Sequence, residues 1–349
     1  MATLPTPSLF PIVPHHRDNA PPASLPPKLA AGLAGIARLA ADSPCADAKR
    51  GTEYFLLPVR SIVNHCESTR VPFPFTVNPY RGCEFGCVYC YARYTHEFME
   101  LDGGDFERKI YAKANAGPIV SRDLAEMNIG SGHIAIGSAT DPFQPAERQF
   151  GVTRAILERM AEREGLSLSI ITKSDQVVRE IDLLRRISER SSLTVNITIV
   201  TLRTRLARML EPRAPRPDLR FKALRQLRDA GIAAGVFMMP VLPGLTDSEP
   251  HFDAMARAAS EADAQWFLSA PLWLMPSAAK YFLPFIEKKF PRLAKQYREW
   301  YSRAAYPPDE YRKEISEKVG RLRAKYGLGS APRGARTARP EPQLSLSYV

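Results

Sequence analysis

Three of the five cysteines fall within eight positions: Cys83, Cys87 and Cys90, spaced C-x3-C-x2-C. Thiolates this close on one loop can converge on a single metal centre. Three of them can bind three irons of a [4Fe–4S] cube and leave the fourth iron without a protein ligand, whereas four cysteines close the cluster. An open iron is a place where a substrate or cofactor can coordinate. Gly82 and Gly86 allow the backbone to bend around a bulky centre. Phe85, Val88 and Tyr89 offer an apolar cover that restricts water. A zinc site is the alternative. Zinc takes four tetrahedral ligands, and His96 or Cys66 can complete such a set. Five cysteines are too few for a disulfide scaffold, and their clustering points to a ligand set kept reduced, as in the cytoplasm.

A loop of this kind needs a rigid support. Short β-rich runs at 73–77, 133–137, 167–172, 193–200, 233–240 and 265–270 alternate with stretches of helical apolar spacing. Ile156, Leu157, Met160 and Ala161 mark one such face, and Ile181, Leu184 and Ile187 another. Strand–helix alternation repeated about six times predicts an α/β fold with a parallel sheet, open or closed into a barrel. In both forms ligands gather at the carboxyl ends of the strands. The segments there are NPYRGCEFGCVYCYAR, SATDPFQPAE, KSD, VLPGLTD and PLWLMP. The fourth run carries Thr194, Asn196 and Thr198 on one face, and a polar face on a buried strand points to a lined cavity.

Composition bounds the rest. With 349 residues, 45% hydrophobic and 24% charged, the chain is globular rather than disordered, collagenous or coiled coil. No run approaches the roughly 18 apolar residues of a membrane span. Residues 29–41 come nearest, and they contain Gly32, Gly35 and Arg38. Nor does the start carry the charged and apolar blocks of a secretory signal. Residues 1–50 are expected to form a Pro-rich, mostly disordered arm, 51–275 the core domain, 276–329 a basic helical extension and 330–349 a disordered tail. Two helices are expected in the extension, at 277–304 and 308–326. Between Lys288 and Arg339 stand 15 basic and 5 acidic residues, so nearly all of the net charge of +11 sits there. Basic residues within 288–325 interleave with Phe290, Tyr297, Trp300, Tyr301, Tyr311 and Tyr326. Cations that neutralise phosphates and aromatics that stack on bases suit DNA or RNA. Basic outer and aromatic inner faces of covering helices suit the same pattern.

The string CEFGCVYC, with an aromatic residue before its third cysteine, resembles the signature of the radical S-adenosylmethionine (radical SAM) superfamily. NPYRGC, CYARYTH, TDPFQP, TKS, LEP and the pair Pro243-Gly244 are similar to the branch related to spore photoproduct lyase. The resemblance covers about residues 70–275. It implies a partial (β/α)6 TIM-type barrel and a [4Fe–4S] cluster held by Cys83, Cys87 and Cys90. It also implies S-adenosylmethionine (SAM) chelated at the open iron, reductive C–S cleavage to a 5′-deoxyadenosyl radical, and an electron donor such as flavodoxin or ferredoxin. Tyr89 would lie near the adenine. Ser138, Thr140 and Asp141 would meet the ammonium or ribose, Lys173 the carboxylate, and Thr198 the carboxylate or ribose. Pro243 and Gly244 would bring backbone to the adenine. The substrate is open: nucleic acid leads, with a protein or small metabolite as the rival, and a non-catalytic zinc-stabilised nucleic-acid-binding module outside enzymes altogether. One departure counts against thymine-dimer repair. Spore photoproduct lyase uses a further cysteine to return hydrogen to its substrate radical, and SATDPFQP contains none.

Overall fold

The alternation of strands and helices sorts into two sheets. The computed structural model describes residues 32–330 except 50, 68–70, 128 and 131. In chain order the strands are β1 (Cys45–Lys49), β2 (Thr52–Pro58), β3 (Val63–His65), β4 (Phe75–Val77), β5 (Tyr80–Arg81), β6 (Lys109–Ala114), β7 (His133–Ile136), β8 (Ser167–Thr172), β9 (Ser192–Thr198), β10 (Ala234–Val241) and β11 (Phe267–Pro271). The larger sheet runs β11-β10-β9-β8-β7-β4-β3. Its strands β4 and β7–β11 are parallel, and β3 closes one edge antiparallel. With helices on the crossovers this is a partial (β/α)6 barrel, and the six parallel strands coincide with the six runs read from the sequence.

Its outer face packs against the helices. Ile156, Leu157 and Met160 of helix Val152–Met160, and Leu184 and Ile187 of Ile181–Arg190, meet Ile170, Val195 and Ile197 in one buried cluster. Inside the barrel, Asn196 does not line open space. Its Oδ1 accepts from the Trp266 indole at 3.0 Å, and Trp266 is wholly buried. Gly235 makes room for that ring: a Cβ there would sit 2.4 Å from it.

The smaller sheet, β1-β2-β6-β5, has no counterpart in the sequence reading. Residues 35–49, expected in a disordered arm, instead form the helix Gly35–Ala41 and β1. Ala40 is buried with Leu57, Met99 and Tyr111, and Ile36 and Leu39 of the same short helix pack against them. The remainder of that arm, 1–31, and the tail from 331 lie outside the described residues. The extension also differs. Helices Pro276–Lys289 and Ala294–Tyr301 are separated by a 3-10 turn at Pro291–Leu293, and Asp309–Tyr326 follows. Pro291 has no N–H to donate and pushes Phe290 out of the helical region, which ends the first helix. After the last helix, Gly329 bonds to Gln265 and Phe267 and pairs beside Trp266 at the free edge of the sheet. Among the described residues no helix is long and apolar enough to cross a membrane.

Gly235→Ala forces a methyl against the indole of Trp266. Overpacking of this kind costs about 1–3 kcal/mol, so the urea midpoint of the variant should fall with its m-value unchanged.

Candidate active site

The cysteine loop follows β5 across the carboxyl end of the barrel. Gly82 opens it at φ +82, and a Cβ there would lie 2.7 Å from the Lys109 carbonyl and 2.8 Å from that of Phe106. The Gly82 carbonyl accepts from Thr140 Oγ1 at 2.6 Å and Gln144 Nε2 at 3.1 Å, which ties the loop to the β7 tip. Gln144 Oε1 takes the Glu84 amide at 3.0 Å. On the other side Arg93 donates to the carbonyls of Gly103 and Cys87 and pairs with Glu107 at 2.6 Å. The loop is buried in its own apolar cluster. Phe85, Cys87 and Tyr89 meet Leu210, Leu242 and Leu272 from the strand-tip loops, and Phe282, Ile286 and Tyr297 from the extension.

Burial pushes all three thiols up, that of Cys87 to about 12, with Lys173 as the main opposing charge. Backbone amides also favour the thiolate form: that of Phe85 at Cys83 and that of Ala92 at Cys90. Arg93 and Lys173 act on Cys90 in the same direction. Sulfurs that burial keeps protonated, surrounded by amides and cations aimed at their anionic form, suit a cationic centre that displaces the protons. The zinc reading finds less support. His96 is buried with Nε2 against the Lys109 carbonyl at 2.9 Å and its ring against Phe106. Cys66 follows β3, close to Tyr91 and Tyr94. Among the described residues no three His, Cys, Asp or Glu side chains converge as a single-ion site, and thiols around an iron–sulfur cube stand farther apart than those around one ion.

Behind Cys87 lies a buried ionic group. Glu211, at the end of helix Thr204–Leu210, pairs with Arg220 at 2.6 Å and lies 4.0 Å from Lys173 Nζ. The Tyr89 hydroxyl donates to it. Burial alone would raise its carboxyl, but Arg220, Lys173 and Tyr89 together hold it below the usual range. Lys173 Nζ also stands 5.8 Å from the centre of the Tyr89 ring. Lys173 and Tyr89, named from sequence, are thus brought together with Cys87.

The remaining residues named from sequence are engaged in different ways. Asp141 accepts from Thr172 Oγ1 at 2.7 Å and from the amides of Phe143 and Lys173 at 3.0 and 2.7 Å, which staples the β7 and β8 tips together. Thr140 grips Gly82. Ser138 bonds Asn78, and its carbonyl accepts from the Tyr91 hydroxyl. Thr198 ends β9, where its carbonyl accepts from Arg220 at 3.0 Å. Gly244, at φ +71, lies against Leu293, and the Pro243 carbonyl accepts from Tyr297. That loop is thereby held by the extension.

Arg220 is the residue sequence reasoning missed. Arg213, nearer to Glu211 in the chain, turns instead to Thr52 and the Glu107 carbonyl. A signal existed: on helix Pro217–Asp229 the buried positions are Pro217, Arg220, Ala223, Leu224 and Leu227, an apolar stripe interrupted by one arginine.

Residues 77–255 match the Radical SAM superfamily. An uncharacterized protein of Mycobacterium tuberculosis is 33% identical over 280 residues, covering 80% of this chain and 81% of the relative. One of Methanocaldococcus jannaschii is 34% identical over 182 residues, covering 52% and 66%. Among solved structures, a spore photoproduct lyase mutant with bound AdoMet and dinucleoside spore photoproduct superposes with a TM-score of 0.58 at 16% identity, covering 77% of this chain and 78% of that one. Another, complexed with dinucleoside spore photoproduct, gives 0.58 at 18%, covering 78% and 79%. At such identities these likenesses show a shared fold.

Arg220→Met leaves Glu211 without its closest cation. Breaking a buried pair from one side costs about 3–5 kcal/mol, so the chemical denaturation midpoint should drop sharply. The double variant Arg220→Met, Glu211→Gln should recover a substantial part of the loss. An additive loss would show that the two side chains do not interact.

Proposed function

This chain belongs to the radical SAM superfamily, and on that premise we propose that Cys83, Cys87 and Cys90 hold its [4Fe–4S] cluster and that its substrate is a nucleic-acid strand. It is a radical SAM enzyme, with the cluster and SAM as cofactors. That membership sets aside a non-catalytic zinc-stabilised module. The bound cofactors supply a one-electron cleavage that yields a 5′-deoxyadenosyl radical. The chain supplies placement and protection.

The fit of the site residues supports their roles. The three thiols lie in an apolar cluster that keeps water from the centre. Lys173 is the partly exposed cation beside them, and its amine meets the SAM carboxylate while Glu211 fixes its reach. Tyr89, held by Glu211, flanks the adenine. Ser138 and Thr198, at the β7 and β9 tips, contact the amino acid moiety or ribose. Backbone at Pro243 and Gly244 borders the adenine. Thr140 and Asp141, whose polar atoms already bind the protein, act by keeping the loop and the β7–β8 tips in register.

One observation carries the substrate class. Lys288, Lys289 and Arg292 are exposed and meet no carboxylate among the described residues, unlike Lys295, Arg298, Arg312 and Lys313 of the same extension. They immediately precede Leu293 and Tyr297, which pack on Gly244 and Pro243 at the barrel mouth. Phosphates bound there would lie beside the site. The aromatic half of the expectation does not hold: Tyr297 is buried in the cysteine-loop cluster, and Phe290 and Tyr301 pack against it. The spore photoproduct lyase structures bind a dinucleoside lesion, which makes a nucleic-acid substrate chemically reasonable on this fold. The absence of a cysteine from SATDPFQP sets the reaction apart from theirs.

Anaerobic reconstitution should give a brown protein with a reducible, EPR-active cluster that releases 5′-deoxyadenosine from SAM and dithionite. Cys87→Ala should lose both properties, and a colourless protein with stoichiometric zinc would reverse the assignment. Replacing Lys288, Lys289 and Arg292 by Gln should weaken binding of single-stranded oligonucleotides. At about 0.7 ions released per phosphate, the slope of log K against log salt should become shallower by about 2. Unchanged binding and slope would remove the nucleic-acid reading and leave the enzyme reading intact.

A further inference from the structure

Among the described residues the buried cations pair with carboxylates except Lys113, and the half-buried Arg81 beside it has no carboxylate either. Arg220 has Glu211, Arg93 has Glu107, and Lys318 has Glu249 and Glu314. Arg81 and Lys113 have none among the described residues. β5 pairs antiparallel with β6, setting Arg81 opposite Tyr111. Lys113, two residues on, therefore shares its face of the sheet. Lys113 is 6% exposed. Arg81 Nε is buried without a partner, and its Nη1 reaches only the Thr95 carbonyl at 3.4 Å. Burial first, and Arg81 second, bring the Lys113 amine down to about 7.

Two cations on one face of a sheet, one buried and one half-buried, are unfavourable unless an anion joins them. An arginine fork beside a lysine point charge matches the oxygens of a phosphate. The location is also apt. Arg81 lies two residues before Cys83, and Tyr94 feels both Arg81 and Cys90, so the cation pair stands near the cysteine loop.

We propose that Arg81 and Lys113 form a receptor for a phosphate group, seated between the small sheet and the segment after the cysteine loop. The inference rests on the nucleic-acid reading only for the source of that phosphate, a phosphodiester of the strand. A phosphate fixed there would register one nucleotide against the radical site while the extension holds the strand farther out.

Calorimetric titration of the reconstituted full-length protein with inorganic phosphate and with thymidylyl-thymidine tests this, alongside ligand-free melting temperatures. The wild-type protein should bind both probes. Lys113→Met and Lys113→Gln should bind both at least tenfold more weakly, yet melt no lower than wild type without ligand, because each removes an uncompensated charge. Lys113→Arg should retain binding. Binding of inorganic phosphate but not the dinucleotide supports the receptor and withdraws the strand as its source. Failure of the wild type to bind either probe, or equal binding by the methionine and glutamine variants, overturns the receptor. Oligonucleotide binding that still depends on Lys288, Lys289 and Arg292 would then leave the nucleic-acid reading standing.

Discussion

Burying three thiols in an apolar pocket sets the terms for everything around them. In such a place a thiolate is stable only when positive charge is brought to it. The chain brings part of that charge in Lys173 and Arg93, and the amides of Phe85 and Ala92 add their dipoles. The half-buried Lys173 is steadied by Glu211, and Glu211 would be an isolated buried anion were it not for Arg220. One electrostatic sequence therefore runs from the sulfur of Cys87 to helix Pro217–Asp229. Each member makes the next one tolerable. This explains why an arginine occupies the apolar side of that helix.

Stability and chemistry occupy separate cores. The larger one lies between the barrel strands and their helices. The smaller one holds the cysteine loop, and its walls come from the strand-tip loops and the C-terminal extension. The two are joined by short polar links rather than by shared apolar packing: Thr140 and Gln144 on the Gly82 carbonyl, and Asp141 across the β7 and β8 tips. The scaffold can thus hold the loop in register without filling the space in front of the sulfurs. The extension is part of this second core, since Leu293 and Tyr297 sit on the Gly244 turn.

Much of this was legible in the residues. All six parallel strands were readable because short apolar runs alternate with stretches of helical spacing, and the cysteine spacing pointed to a shared metal centre, with iron–sulfur and zinc both open. The small sheet was not readable, because β1 has the composition CADAK and the helix before it buries only alanines. The strand carries no apolar period, and the helix is too short for its Ile36, Leu39 and Ala40 face to stand out. The polar face of β9 suggested a cavity, yet the filler was a tryptophan distant in sequence, and only tertiary proximity reveals that Trp266 meets Asn196. Asp141 and Thr140 stand out in the sequence as candidate contacts to SAM, whereas in the structure their polar atoms bind the protein. Their engagement with backbone at Lys173 and Gly82 depends on pairings between strand tips that spacing along the chain does not encode. Glu211 and Arg220 are separated by a turn and by Pro212, Pro215 and Pro217, so their meeting, too, is a matter of packing.

The hydrogen bonds that Gly329 donates to the Gln265 carbonyl and accepts from the Phe267 amide have a consequence for biogenesis. The outermost parallel strand presents unsatisfied backbone groups on its far side until this short segment arrives. While the polypeptide is being synthesised, that border stays open through the production of some sixty further residues, about the distance from 267 to 329. During that interval the nascent half-barrel offers a strand edge to any neighbour. Gly329 is delivered by the helix Asp309–Tyr326, whose Ile315, Val319 and Leu322 pack in the barrel core, so a chain truncated before 329 would forfeit this cover at the start of the border and not merely a surface ornament.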